Sequence, residues 1–202
     1  MSATLAIVLL TCAVSLLGFG SRGLINALIL WPPIVREKNE YYRLVTYGLI
    51  HADLVHLAFN MIALYSFGSI MERFYDAALG NFGFVFFYVV GLIVSILPTY
   101  LRNRDNADYR SLGASGAVSG VLFAFILLQP WSQILLYFSL RVPAIVFAVL
   151  YVGYSIYADY RAKGNINHNA HLWGAAYGVV FTIAIQPRVL SHFLQELANP
   201  HF

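Results

Sequence analysis

Charges interrupt this chain so rarely that apolar runs, not amphipathic repeats, set its pattern. Cutting at the charged residues leaves six uncharged stretches: Met1–Ser21, Leu54–Met71, Ala77–Leu101, Ser111–Leu140, Val142–Ala158 and Gly164–Pro187. Bilayer hydrocarbon is about 30 Å thick and needs roughly 20 mostly apolar residues to cross as a helix. The pattern therefore predicts six spanning helices. No alternating ten-residue strands of an outer-membrane barrel interrupt it. Met1–Ser21 is read as a first span. Gly18-Phe19-Gly20 before Ser21 resembles a small-x-small cleavage site, but the basic region of a signal peptide is missing.

Two irregularities stand out. Arg22–Asp53 is a long connection interrupted at Trp31-Pro32-Pro33, and it holds seven charged residues. Loops of that length are often functional. Ser111–Leu140 opens with Ser111-Leu112-Gly113-Ala114-Ser115-Gly116 and breaks at Pro130-Trp131. A helix from Ser115 to Gln129 would be roughly 22 Å long, too short for the whole hydrocarbon. Either it is distorted, or it starts part-way down behind a Gly-rich turn that is tolerated at that depth only inside protein or facing water. No internal repeat supports the plan of many transporters.

Composition agrees: 60% of the 202 residues are hydrophobic and only 10% are charged, against about a quarter charged in soluble domains. A net charge of +3 without a dense Lys/Arg cluster excludes nucleic acid as a partner. Cys12 is the single cysteine, which excludes a disulfide scaffold. One membrane domain over residues 1–202 is the expected organisation, multi-pass and integral to the bilayer.

Polar groups inside spans are expensive and point to function. His56 and Asn60, four apart, share a helix face and can aim donors at one point, or serve as interhelical glue. Gly113-Ala114-Ser115-Gly116 puts a serine among the unpaired amides of a helix start, which can stabilise an oxyanion or simply cap. Gly174 and Gly178 form a GxxxG packing face, and His171 projects from that face into the helix contact. Together these supply a nucleophile, a base and donors. Asp53 and Asp159 lie at span ends and Asp105 and Asp108 in a loop, so a dyad is expected.

At this point the sequence resembles the rhomboid family of intramembrane serine proteases over nearly its whole length. The resemblance rests on Tyr42-Arg43-Leu44-Val45-Thr46 and on His51 with the run His56-Leu57-Ala58-Phe59-Asn60-Met61. It extends to Gly68 and Glu72, to Gly113-Ala114-Ser115-Gly116, and to Ala170-His171 with Gly174 and Gly178. It implies a six-helix bundle in which Ser115 attacks peptide bonds in transmembrane protein substrates and His171 is base, then acid. His56, Asn60 and the Ser115 amide would hold the oxyanion. Arg43 and Glu72 would be structural, as would His51, Gly113, Gly116, Gly174 and Gly178 near the site. The Arg22–Asp53 loop would lie partly in the interface, and the span around Val142–Ala158 would be a lateral gate. No metal or cofactor is implied.

The chain departs from the family pattern at three places. Ser119 stands where an aromatic ring commonly packs on the histidine, Trp173 where glycine is frequent, and Tyr42 in place of tryptophan. Orientation is open between two readings. Arg73, Arg141 and Arg188 lie on the side of the termini. Arg22, Arg36, Lys38, Arg43, Arg102, Arg104, Arg110, Arg161 and Lys163 lie opposite. The positive-inside rule thus places the termini outside, whereas the family implies termini in the cytoplasm.

Three other functions compete: a catalytically inactive relative that binds membrane clients, a metalloenzyme using His51, His56, His168 and His171, and a channel or carrier. The retained Ser115 and His171 weigh against the first. The second lacks HExxH and a carboxylate beside the histidines. The third needs a continuous polar track, and these groups cluster near one side.

Overall fold

The structure, a computed structural model, describes residues 1–136, 140–161 and 167–200. Lys163 and Gly164, the start of the last uncharged stretch, lie outside the described residues. Most of the rest is helical: α1 (Ala3–Phe19), α2 (Arg22–Leu28), α3 (Pro32–Lys38), α4 (Arg43–Thr46), α5 (Leu54–Leu79), α6 (Gly83–Arg102), α7 (Ser115–Leu128), α8 (Ala144–Arg161), α9 (His168–Ile185) and α10 (Arg188–Ala198). An antiparallel hairpin, β1 (Gln133–Leu136) with β2 (Leu140–Pro143), joins α7 to α8 and pairs Gln133 with Pro143. The all-helical expectation misses this hairpin. The Pro130-Trp131 break ends α7, and the β-branched and leucine residues beyond it pair instead of continuing the helix.

Helices α5 and α6, 26 and 20 residues long, are long and apolar enough to cross a membrane. Burial in α1 and α8 runs opposite to that of a soluble bundle. Helix α1 buries Thr4, Thr11, Ser15 and Gly18, while Leu9, Leu10, Leu16 and Leu17 face outward. Helix α8 buries Ala144, Ala148, Ser155 and Ala158 and exposes Val149, Leu150, Ile156 and Tyr157. Small and polar residues inside, large apolar residues outside, is the arrangement lipid favours, because close packing and polar contacts hold helices together there.

Helix α7 is the axis of the molecule. Every residue from Gly116 to Leu127 is buried, and α5, α6, α8, α9 and α10 all pack on it. Aromatic stacking ties the surrounding helices together: Tyr75 of α5 stacks on Phe87 of α6 at 4.2 Å, and Phe87 on Tyr177 of α9 at 5.1 Å. Tyr75 also shares a hydrogen bond of 2.6 Å with Thr182.

The Arg22–Asp53 segment is not an open loop. It folds as α2, α3, α4 and a 3₁₀ turn at Tyr47–Leu49. Pro32 and Pro33 start α3, where a missing N–H costs nothing. Beyond Pro187, Arg188–Ala198 form α10. Its apolar positions recur three and four apart, as an amphipathic helix requires. His192 Nε2 donates to the Leu128 carbonyl (2.9 Å), and Trp131 Nε1 donates to that of Glu196 (2.7 Å), which dock α10 on the end of α7.

Candidate active site

Ser115 is the first residue of α7, so its own amide and the next ones have no acceptor within the helix. The turn leading to it is fixed from three directions. Gly113 has φ +107°, a conformation that favours glycine. A Cβ there would lie 2.6 Å from Cε1 of His56, so the imidazole of His56 rests on bare backbone. The Gly113 amide donates to the Tyr47 carbonyl at 2.9 Å, and the Ala114 amide donates to His51 Nε2 at 3.4 Å.

His51 is clamped in turn. Ser15 Oγ donates to the Leu49 carbonyl (2.8 Å) and lies 3.0 Å from His51 Nδ1. The serine's one proton goes to the carbonyl, so Nδ1 carries the hydrogen and Nε2 is free to accept from Ala114. This chain runs from α1 to the turn before Ser115 and commits both ring nitrogens of His51, leaving none for a metal.

His171 reaches Ser115 because two glycine pairs let α9 lie against α7. A Cβ on Gly174 would sit 1.9 Å from the Gly116 carbonyl oxygen, and one on Gly178 would sit 2.1 Å from that of Gly120. Gly116 and Gly120 are themselves a GxxxG pair, so two such faces interlock. His171, three residues before Gly174, then places Nε2 2.7 Å from Ser115 Oγ.

The imidazole is packed by other rings. Tyr151 of α8 lies nearly parallel to it, with centroids 6.1 Å apart and 20° between planes, and His168 meets it edge-on at 5.8 Å. Ser119 Oγ bonds the Tyr151 hydroxyl at 2.6 Å and donates to the Ser115 carbonyl at 2.7 Å. Trp173 is exposed and takes no part in this packing.

A cavity of about 1240 Å³ opens over the pair and is lined by Ser115, His171, His56, Asn60, Tyr151 and Asn167, among others. Asn60 Nδ2 donates to the His56 carbonyl at 2.9 Å, which spends one of its two N–H donors. Arg43 and Glu72 do not line this cavity. Arg43 is buried and ties the α2–α4 segment together: NH1 donates to the carbonyls of Asn26 (2.7 Å) and Ile29 (2.9 Å), and Nε to Glu40 (2.6 Å). That bond holds the half-buried Glu40 carboxyl below its usual pKa. The segment is joined to the approach to Ser115 by paired backbone bonds between Leu30 and Ser111 and by Arg110 over the Trp31 ring. Glu72, far along α5, accepts from the amides of Ala3 (2.7 Å) and Thr4 (2.9 Å) and so caps α1.

The rhomboid domain family matches residues 38–188, which include the buried loop arginine, both glycine faces and the Ser115–His171 pair. The chain belongs to the rhomboid family. Its similarity to individual rhomboids is moderate. It is 30% identical to RHOMBOID-like protein 12, mitochondrial, of Arabidopsis thaliana over 71% of this chain and 46% of that one. It is 28% identical to rhomboid protease GluP of Bacillus subtilis over 85% of this chain and 29% of that one. Rhomboid-like protein 11, chloroplastic, of Arabidopsis thaliana is 34% identical over 69% of this chain and 51% of its own length. The chain thus spans about half or less of the length of these rhomboids.

Several residues around the pair escaped the sequence reading. Gly120 was legible, as the second glycine of a GxxxG within Ser115-Gly116-Ala117-Val118-Ser119-Gly120. Ser15 and Tyr151 were not: one polar residue in an apolar helix and one tyrosine among many carry no spacing signal toward a partner on another helix.

Proposed function

We propose that this rhomboid is an intramembrane serine endopeptidase that uses Ser115 and His171 to hydrolyse peptide bonds of other transmembrane proteins. The observation that carries this reading is the 2.7 Å contact between His171 Nε2 and Ser115 Oγ at the start of α7, inside a cavity. A neutral imidazole accepts the Ser115 proton as Oγ adds to the scissile carbonyl carbon, and the carbonyl π electrons move to oxygen. The oxyanion is met by the Ser115 amide, the second N–H of Asn60 and the His56 ring. Collapse expels the amine, which takes its proton from the His171 imidazolium and leaves an acyl-Ser115 ester. Water adds to that ester by the same route, giving the carboxylic acid and free serine.

Six helices (α1, α5, α6, α7, α8 and α9) would span the bilayer in this reading, as one domain, multi-pass. Short α7 would start below the surface, so that Ser115 meets water within the membrane's thickness. The inward small-residue stripes of α1 and α8 support this, as does the match over residues 38–188. A substrate span would enter beside α8, which borders the cavity through Phe147 and Tyr151.

The test is labelling of the detergent-solubilised protein with a fluorophosphonate, which reacts with activated serines. The wild type should label, and Ser115→Ala and His171→Ala should not. Folded wild-type protein that stays unlabelled, or Ser115→Ala that labels equally, would overturn the dyad and leave a client-binding rhomboid.

A further inference from the structure

We propose that Tyr151 of α8 is the positioning residue for His171, so that the reactive geometry of the dyad depends on where α8 sits. The inference rests on the protease reading above and goes beyond it.

The position of the His171 ring is only partly explained by its own helix, where His168 meets one edge at 5.8 Å and leaves the ring face uncovered. Helix α9 is anchored by its glycines on α7, but these fix backbone, and an imidazole at the rim of a cavity can still turn about two side-chain bonds. Its Nε2 hydrogen bond to Ser115 fixes one point only. The near-parallel ring of Tyr151 supplies a flat wall that removes the remaining rotation.

Tyr151 is itself held on three sides. Phe123 of α7 lies against it with centroids 5.7 Å apart, and Phe147, one turn earlier on α8, lies at 5.6 Å. Its hydroxyl reaches Ser119 Oγ at 2.6 Å, and that serine donates its proton to the Ser115 carbonyl at 2.7 Å. The donor order is therefore Tyr151 O–H to Ser119 Oγ, then Ser119 O–H to the carbonyl of Ser115. One side chain thus packs on the base through its ring and is linked to the nucleophile's backbone carbonyl through Ser119. Ser119 is what makes the arrangement possible, because a large side chain at that buried position would occupy the space that the tyrosine fills.

Tyr151 is carried by α8, whose buried residues are all small: Ala144, Ala148, Ser155 and Ala158. Helix α8 packs on α9 and α7 through a shallow interface, and displacing it would take the wall off His171. Dyad geometry and helix position are then one variable.

The experiment compares wild type, Tyr151→Phe and Tyr151→Ala in detergent, measuring kcat and KM on a transmembrane substrate, the rate of fluorophosphonate labelling, and Tm. In Tyr151→Ala, kcat is expected to fall about tenfold to a hundredfold, the range that small misplacement of a reacting group costs. The labelling rate should fall by the same factor while KM stays nearly constant. Tyr151→Phe keeps the ring and should retain most of both rates. The proposal is overturned if Tyr151→Ala labels and turns over at the wild-type rate. It is also overturned if its loss is confined to the large substrate while small-probe labelling is unchanged, which would make Tyr151 part of the entry path. A Tyr151→Phe variant as slow as Tyr151→Ala would overturn it too. An unlabelled wild type would instead remove the protease reading, and this inference with it; labelled wild type with an insensitive Tyr151→Ala removes this inference alone.

Discussion

Gly178 faces the carbonyl of Gly120 so closely that a Cβ on it would lie 2.1 Å from that oxygen and 2.8 Å from the Gly120 Cα. Both obstacles are backbone, which cannot rotate away, so a methyl group there must push α9 off α7. The same displacement carries His171 away from Ser115, because both glycines of the α9 face lie on His171's helix within two turns of it. Packing and chemistry therefore share one contact.

Gly178→Ala is expected to lower Tm in detergent and to reduce fluorophosphonate labelling together. Overpacking of this kind costs about 1–3 kcal/mol where neighbours can shift, and here they cannot shift easily. Gly153→Ala is the control. That glycine lies mid-helix in α8 with nothing within 4 Å of an added Cβ. A helical Gly→Ala exchange in open space stabilises by up to about 1 kcal/mol. Equal thermal stability of the two variants would contradict the close-contact account.

Ser15→Ala tests the support under the Gly113–Ser115 turn. The substitution takes away the buried acceptor for His51 Nδ1 and the donor to the half-buried Leu49 carbonyl. Leaving a buried polar group unmatched costs about 1–3 kcal/mol. With His51 free to turn, the Ala114 amide loses its partner and the entry to α7 loosens. The expected outcome is a drop in Tm with a smaller loss of labelling. Ser15→Thr, which keeps the hydroxyl, should lose less than Ser15→Ala on both measurements.

How much of this was legible follows from what kind of signal each feature leaves. Charge spacing places α1, α7 and α9 within the uncharged stretches and starts α5, α6 and α8 in theirs, although α5 runs on to Leu79 past Glu72, Arg73 and Asp76, α6 ends at Arg102, and α8 passes Asp159 to Arg161. Once a helix is committed to cross, a few charges near its end do not stop it. Helix α7 ends within a residue of the expected Gln129, because the proline at 130 sets the limit. The short helices of Arg22–Asp53 left weaker signals, being one to two turns long and stabilised by docking, not by their own periodicity, whereas α10 carries a helical period that its polar composition masked. The site was legible where one helix carries the pattern, as with His171, Gly174 and Gly178. It was not legible where the pattern is a meeting of helices: the ring that packs on His171 comes from Tyr151, and no spacing in one sequence links residues 119, 151 and 171.

Arg43 offers a test outside the cavity. Its guanidinium bonds two backbone carbonyls and Glu40 at once, a fork that an ammonium group cannot reproduce. Arg43→Lys should therefore destabilise nearly as much as Arg43→Ala, by about 1–3 kcal/mol for the carbonyls left unmatched. The ion pair adds a pH dependence of known sign. The folded-state pKa of Glu40 is held low by Arg43, so the contribution is complete at neutral pH. It declines once pH falls below the ordinary glutamate value and is gone below the lowered one. Glu40→Gln should flatten the acid limb of a Tm-against-pH curve over that window and lower neutral stability by the same modest amount that the pair contributes there.

Asn60 separates oxyanion stabilisation from packing. Its Nδ2 group donates one hydrogen to the His56 carbonyl on its own helix, which leaves the second free for a ligand in the cavity that Asn60 lines with Ser115. If that hydrogen meets the developing oxyanion, its loss acts on the transition state and not on substrate binding. Removing one such donor typically costs about 10²–10³ in kcat. Asn60→Ala should thus lower kcat strongly, leave KM within a small factor and leave Tm nearly unchanged, since the His56 carbonyl stays in the helical ladder of α5. Asn60→Asp is the sharper variant. It keeps size and shape but supplies acceptors where a donor is needed, and it should be at least as slow as Asn60→Ala. An Asn60→Asp enzyme with wild-type kcat would remove Asn60 from the oxyanion site and leave the amide at Ser115 and the His56 ring to carry it.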